Sequence, residues 1–130
     1  MSDASVDVVL SIFAHRSFAE FARVLRGSDL LICVQPGPDH LIELRRLLYA
    51  DASLRRQRTR RRVARNGPLR RIADERLRYV TTLSSERDLL NLLVMTPFGT
   101  HASKSRRENV RSRGRIPLTI DFVITRFKAR

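Results

Sequence analysis

Apolar residues recur along this chain at two periods, and the change of period divides it. Across residues 5–27, Val6, Val9, Leu10, Phe13, Phe18, Phe21, Ala22 and Leu25 fall mostly three and four apart, the spacing of an amphipathic helix. The competing reading makes 6–13 a buried strand, because Val-Asp-Val-Val-Leu-Ser-Ile-Phe is rich in β-formers. Ser17 is placed to cap a second helix and Gly27 to close it. Residues 29–35 form a short apolar run stopped by Pro36-Gly37-Pro38, which predicts a buried strand. Asp39 then opens a helix with Leu41, Leu44, Leu47 and Leu48 on one face and Glu43 in its early part.

Beyond Leu54 the apolar face disappears until Val63. Asn66-Gly67-Pro68 marks a break between helices. Leu69, Ile72, Ala73, Leu77, Val80 and Leu83 then line a further helical face, and Ser85-Glu86-Arg87-Asp88 has the form of a capping box ahead of the apolar run 89–95. Residues 100–115 are polar and read as a basic loop. From Ile116 the pattern switches to strict alternation, with Ile116, Leu118, Ile120, Phe122 and Ile124 against Pro117, Thr119, Asp121, Val123 and Thr125, which predicts a C-terminal strand. The expected fold is therefore α+β: one small helix-rich domain over 1–130, with about four helices and two or three short strands.

Composition adds a polyanion partner to this picture. The 130 residues carry 26 basic and 13 acidic side chains, a net charge of +13, and 24 of the 26 are Arg. Thirteen of these lie between Arg45 and Arg78, against Asp51, Asp74 and Glu75 alone. Guanidinium binds phosphate bidentately and stacks on bases, which suits nucleic acid. The exposed arm at 54–67 would be helical, with Arg55, Arg56, Arg58, Arg60, Arg61, Arg62 and Arg65 on phosphates; Arg70 and Arg71 follow it, and Lys104, Arg106, Arg107, Arg111 and Arg113 of the basic loop complete the candidate surface. Contacts of this kind position a protein without reading bases, so shape recognition of structured or duplex RNA is favoured over DNA. Tyr49 and Tyr79 are the candidate base-stacking pair.

Catalytic chemistry is not visible at this level. His15, His40 and His101 are far apart in sequence, and Glu20, Glu43, Asp51 and Asp74 read as helix-surface ion pairs with neighbouring Arg. There is no Gly-rich phosphate loop, nucleophile elbow or HExxH pattern, and the five glycines argue against a nucleotide fold. A single cysteine, Cys33, gives neither an internal disulfide nor a zinc module and favours a reducing compartment. No cofactor or metal is expected. No apolar run reaches membrane-spanning length, and acidic Asp3 and Asp7 argue against an export signal.

The order of 41–49, an apolar helix, followed by the Arg55–Arg62 cluster resembles the helix-then-arginine-arm order of lentiviral Rev proteins, and the resemblance implies RNA binding; the later segments depart from it, with no Trp in the arm and a β-like C-terminus. The functional expectation is a non-enzymatic RNA-binding protein, a virus-encoded accessory factor or silencing suppressor. It would be intracellular, reaching nucleus or nucleolus, and homodimeric through its C-terminal strand. The alternatives are an interaction factor that uses the arm to engage an import receptor, or a ribosome- or nucleoid-associated protein.

Overall fold

The structure, a computed structural model, describes residues 2–14, 17–49 and 67–130. Its elements run β1 (Val6–Ile12), α1 (Phe18–Val24), β2 (Leu25–Pro36), α2 (Ile42–Leu48), β3 (Leu69–Leu83), α3 (Glu86–Met95), α4 (Pro97–His101), α5 (Lys104–Ser112) and β4 (Ile116–Ala129). The described strands form a mixed sheet in the order β1-β2-β4-β3. β1 and β2 run parallel, joined by α1 as a crossover helix, with Val9 opposite Leu31 and Ser11 opposite Cys33. β4 is antiparallel to β2, with Leu31 opposite Phe127 and Val34 opposite Ile124.

This corrects the helix-rich expectation, because the four described strands are 7, 12, 15 and 14 residues long. Residues 6–12 take the strand alternative: their apolar spacing fits a helix by coincidence, whereas their Val and Ile content fits a parallel ladder with β2. Residues 69–83 had the spacing of a helix face but form β3, since Tyr79-Val80-Thr81-Thr82 prefers extended backbone and a neighbouring strand outweighs intrinsic propensity. The basic loop is also corrected: most of 100–115 is helix α5, whose N-terminus is capped by the Ser103 hydroxyl accepting from the Arg106 amide at 3.4 Å. Ser17 caps α1 as its position predicted, accepting from the Glu20 amide, but Gly27 does not close that helix; it lies inside β2 with φ +27. Of the proposed arm at 54–67, residues 54–66 lie outside those described.

The described residues form two compact units. The first holds β1, α1, β2, residues 69–77 of β3 and residues 122–129 of β4. Its core is Leu25, Leu31, Cys33, Leu69 and Phe127, and α1 lays Phe18 and Phe21 against it, with the Phe18 and Phe127 rings 5.3 Å apart. The second unit holds α2 to α5, residues 78–83 of β3 and residues 116–121 of β4. Leu41, Leu44, Leu48, Leu89, Leu93, Val110, Ile116 and Leu118 are buried there, each fully buried aliphatic contributing about 1.5–3 kcal/mol. Ser85 caps α3 and Thr96 caps α4, where Pro97 takes a first-turn position. At Gly99 the α4 backbone comes so close to the Leu93 carbonyl that a Cβ would overlap it.

Candidate functional site

In open α/β sheets, ligands bind beyond the carboxyl ends of the parallel strands. Here that end of the first unit is built by Phe13, immediately after β1, and by Gln35 and Pro36 closing β2. The Phe13 amide donates to the Val34 carbonyl at 3.0 Å, prolonging the ladder by one residue. Phe13 has φ +49, a left-handed conformation that is costly for a bulky side chain and that concentrates at functional sites. Its ring packs 5.3 Å from that of Phe122 yet is 53% exposed, so an aromatic face is presented at the strand end. Nearby in β1, the Ser11 hydroxyl is buried and has no hydrogen-bond partner among the described residues.

The second unit contains a polar network at the start of α2. Leu41, in the left-handed region at φ 52, turns the chain into the helix without a side-chain cap; instead its amide donates to the Thr119 carbonyl at 2.8 Å. The fully buried Asp121 carboxylate accepts from the Asp39 amide at 2.9 Å, and the Asp121 amide donates to His40 Nδ1 at 3.3 Å. That bond makes Nδ1 an acceptor and places the neutral proton on Nε2. Burial lowers the His40 pKa, helped by Arg45 and opposed by Asp121. Arg45, also buried, donates through Nη1 to the Pro38 and His40 carbonyls at 3.0 and 3.2 Å and lies 5.7 Å over the Phe98 ring. Burial pulls its pKa down, against Asp39. The Glu43 carboxylate takes both the amide and the hydroxyl of Thr119, and these bonds hold its pKa below the usual value although burial by itself would raise it.

None of these residues was singled out for this role by sequence. Glu43 read as a surface ion-pair partner, but its partner is Thr119; Asp74 pairs with Arg71 on β3 rather than on a helix, and Asp51 lies outside the described residues. His101 is exposed on α4, and His15 is also outside the described residues. Tyr49 is corrected as a stacking residue: its hydroxyl donates to the Phe98 carbonyl at 3.1 Å and its ring meets Phe98 edge-on, while Tyr79 is exposed on β3.

Of the predicted phosphate ligands, Arg55, Arg56, Arg58, Arg60, Arg61, Arg62 and Arg65 lie outside the described residues. Arg70 and Arg71 are exposed on β3. Lys104, Arg106, Arg107 and Arg111 lie on α5 and Arg113 caps its end. Lys104, Arg107 and Arg111 rim a groove of about 310 Å³ whose floor includes Leu90, Leu93 and Val94 of α3. Arg111 is tied to Glu86, and more loosely to Glu108 at 3.7 Å; these carboxylates raise its pKa. Among the described residues no cluster of His, Cys, Asp and Glu could hold a metal, and no helix is long and apolar enough to cross a membrane.

No family model matches the chain. It is 38% identical over 129 residues to a Bacillus subtilis protein named as a putative 23S rRNA (guanine-N(1)-)-methyltransferase, YxjB, a match covering 94% of this chain and 43% of the relative. A second relative of the same name, from Micromonospora griseorubida, is 46% identical over 44 residues, covering 34% of this chain and 15% of its own length. The chain thus spans less than half the length of these relatives. A crystal structure of a putative methyltransferase from Bacillus halodurans superposes with a TM-score of 0.50 at 10% identity, over 98% of this chain and 66% of that one, so the two share a fold. These likenesses overturn the expectation of a non-enzymatic, virus-encoded accessory factor acting in a nucleus: the relatives are bacterial and bear an enzyme's name. The earlier likeness in order to an arginine-arm protein came from charge composition, which many RNA-associated proteins share.

Proposed function

We propose that the chain works in RNA methylation, as part of an enzyme that methylates a guanine of ribosomal RNA. The observation that carries this reading is 38% identity sustained over 129 residues to a protein with that name. The shared fold and the strong positive charge are consistent with it. In this reading the basic side chains have substrate work: Lys104, Arg106, Arg107 and Arg113 on or beside α5, with Arg70 and Arg71 on β3, attract and position RNA phosphates. The strand end at Phe13 is where the reacting groups would meet.

A methyl donor is implied by this chemistry, and the described residues do not by themselves hold one. A ligand crevice in such a sheet needs strands on both sides of the point where the connections diverge, whereas β1 has a described neighbour only in β2. No catalytic step is therefore assigned to individual residues.

The test is transfer of tritium from labelled S-adenosylmethionine to 23S rRNA, with reverse transcription to find the product. A methyl group on guanine N1 blocks the Watson–Crick edge, so a stop one nucleotide before a guanine is the expected result. The assay is run on the chain alone and with the part of the relative outside the match supplied as a second polypeptide. Label in neither, together with no salt-sensitive binding to the RNA, would overturn the reading.

A further inference from the structure

Helix α5 carries Lys104, Arg107, Glu108 and Arg111 at the spacing that brings residues to one side of a helix. That side meets α3, which buries Leu89 and Leu93 in the core and brings Leu90 and Val94 up beside them, 40% and 78% exposed. The groove of about 310 Å³ between them has Leu90, Leu93 and Val94 in its floor and the charged side of α5 as its rim. Every residue that lines it is among those described, and all belong to the second unit. The volume lies at the low end of small-ligand sites, about 300–1,000 Å³, which suits one nucleotide rather than a length of duplex.

The lining makes three demands on an occupant. Three cations against one carboxylate favour an anionic group at the rim. The aliphatic floor favours an apolar or flat body that gives up its water there. Glu108 is the third demand, because an ionised carboxylate only accepts hydrogen bonds and repels a second anion. The Thr100 hydroxyl, which donates to the Pro97 carbonyl at 3.0 Å, likewise has acceptor lone pairs to offer. A bare phosphate answers the rim alone. An acidic peptide answers rim and floor, but its carboxylates bring no donor to Glu108. A nucleotide whose base carries an amino group answers all three.

We propose that the α3–α5 groove is a subsite for one unpaired, amino-bearing nucleotide of RNA. The base lies on Leu90, Leu93 and Val94, its amino group donates to Glu108, and its phosphate sits at Lys104 and Arg107. A base-paired amino group is already engaged with its partner base, so the nucleotide must come from a loop, bulge or end, where RNA is read base by base. Cytosine is the pyrimidine that meets the requirement, since carboxylates accept from its N4 amino group; uracil has a carbonyl at that position and is repelled. The inference rests on the reading of RNA as the substrate, and it adds a base preference that phosphate contacts alone do not give.

The probes are fluorescently labelled hexaribonucleotides of cytidine and of uridine, matched in length and charge and titrated into the full chain by anisotropy. Cytidylate should bind about tenfold more tightly, and its binding should shift the methyl resonances of Leu90, Leu93 and Val94. Glu108→Gln separates base reading from charge. Removing a negative charge should strengthen uridylate binding, while the amide, able to donate as well as accept, should bring the two affinities within about twofold. Val94→Asp, at an exposed position, should weaken cytidylate about tenfold with the melting temperature near the parent value. Equal affinity for the two probes in the parent chain, no binding of either at low salt, or a cytidylate preference that survives Glu108→Gln would each overturn the proposal. So would equally tight binding of oligoglutamate of the same charge, which would mark the groove as a site for acidic protein. Methyl transfer to 23S rRNA by a chain with no cytidylate preference would sink this proposal and leave the functional one; the preference without methyl transfer, even with the second polypeptide, would do the reverse.

Discussion

Glu43 and Thr119 are 76 residues apart in sequence and joined by two short hydrogen bonds, the Thr119 amide donating at 2.8 Å and its hydroxyl at 2.6 Å to the two carboxylate oxygens. The pair ties the first turn of α2 to β4. Thr119→Val keeps the shape and removes one charge-assisted bond, so unfolding in urea at neutral pH should show a loss of about 1.5–3 kcal/mol. Because the folded Glu43 pKa is depressed, its contribution is present above the unfolded value and is lost as pH falls through the folded one. The gap between variant and parent should therefore close in acid. A gap that persists at every pH down to acid unfolding would show that the bond does not depend on the ionised carboxylate.

His40 titrates in the same network with the same sign. Its folded pKa lies below the ordinary value of 6.5, mainly through burial, so the unfolded chain takes up the proton first. Stability from this group is complete above the unfolded pKa and declines as pH drops through the folded one. Protonation also removes the lone pair with which Nδ1 accepts from the Asp121 amide. An NMR titration of the His40 ring should give a midpoint below 6.5, with the Asp121 amide resonance moving along the same curve. A midpoint at or above 6.5 would contradict the buried neutral imidazole.

Legibility in the sequence followed the range of the interaction. The alternation from Ile116 onward and the serines at 17 and 85 act within a few residues, and β4 and the starts of α1 and α3 stand where such signals belong. β3 was hidden, and β1 stood only as the competing reading, because their side chains satisfy helical spacing and their strand character is decided by neighbours far along the chain: Leu31 for Val9, and β4 for β3. The same holds for the site. Asp121 reads only as one of the positions that alternate with the apolar ones along the C-terminal strand, and the arrival of the Asp39 amide, 82 residues away in sequence, makes it a buried acceptor. Charge was legible as a polyanion signal but carries no information about catalysis, which is why an enzyme's relative was read as a plain binding protein.

Gly99 sits where α4 crosses the end of α3, against the Leu93 carbonyl. Gly99→Ala forces the two backbones apart with no flexible side chain to absorb the change. A loss of about 1–3 kcal/mol is expected. The α3–α5 groove, to which both residues contribute, should open with it. Circular dichroism melts and urea curves check the first statement, and faster amide exchange in α4 checks the second. Parent-like stability would mean that α4 is not docked on Leu93.

The cationic rim of α5 separates the RNA reading from a merely solvated surface. Lys104 and Arg107 are exposed and lie on the groove rim, outside the buried core, so Lys104→Glu with Arg107→Glu should leave the melting temperature near the parent value. If each neutralises one phosphate, affinity for 23S rRNA should fall and the slope of log affinity against log salt should become shallower by about 1.4–1.8, at about 0.7–0.9 per contact. Filter binding at several salt concentrations measures both. The same pair reversed in charge beside Glu108 would repel phosphate from the groove, so the loss should exceed that of the corresponding alanine pair. An unchanged salt slope would remove α5 from the RNA-binding surface and leave the charge of the remaining arginines to account for it.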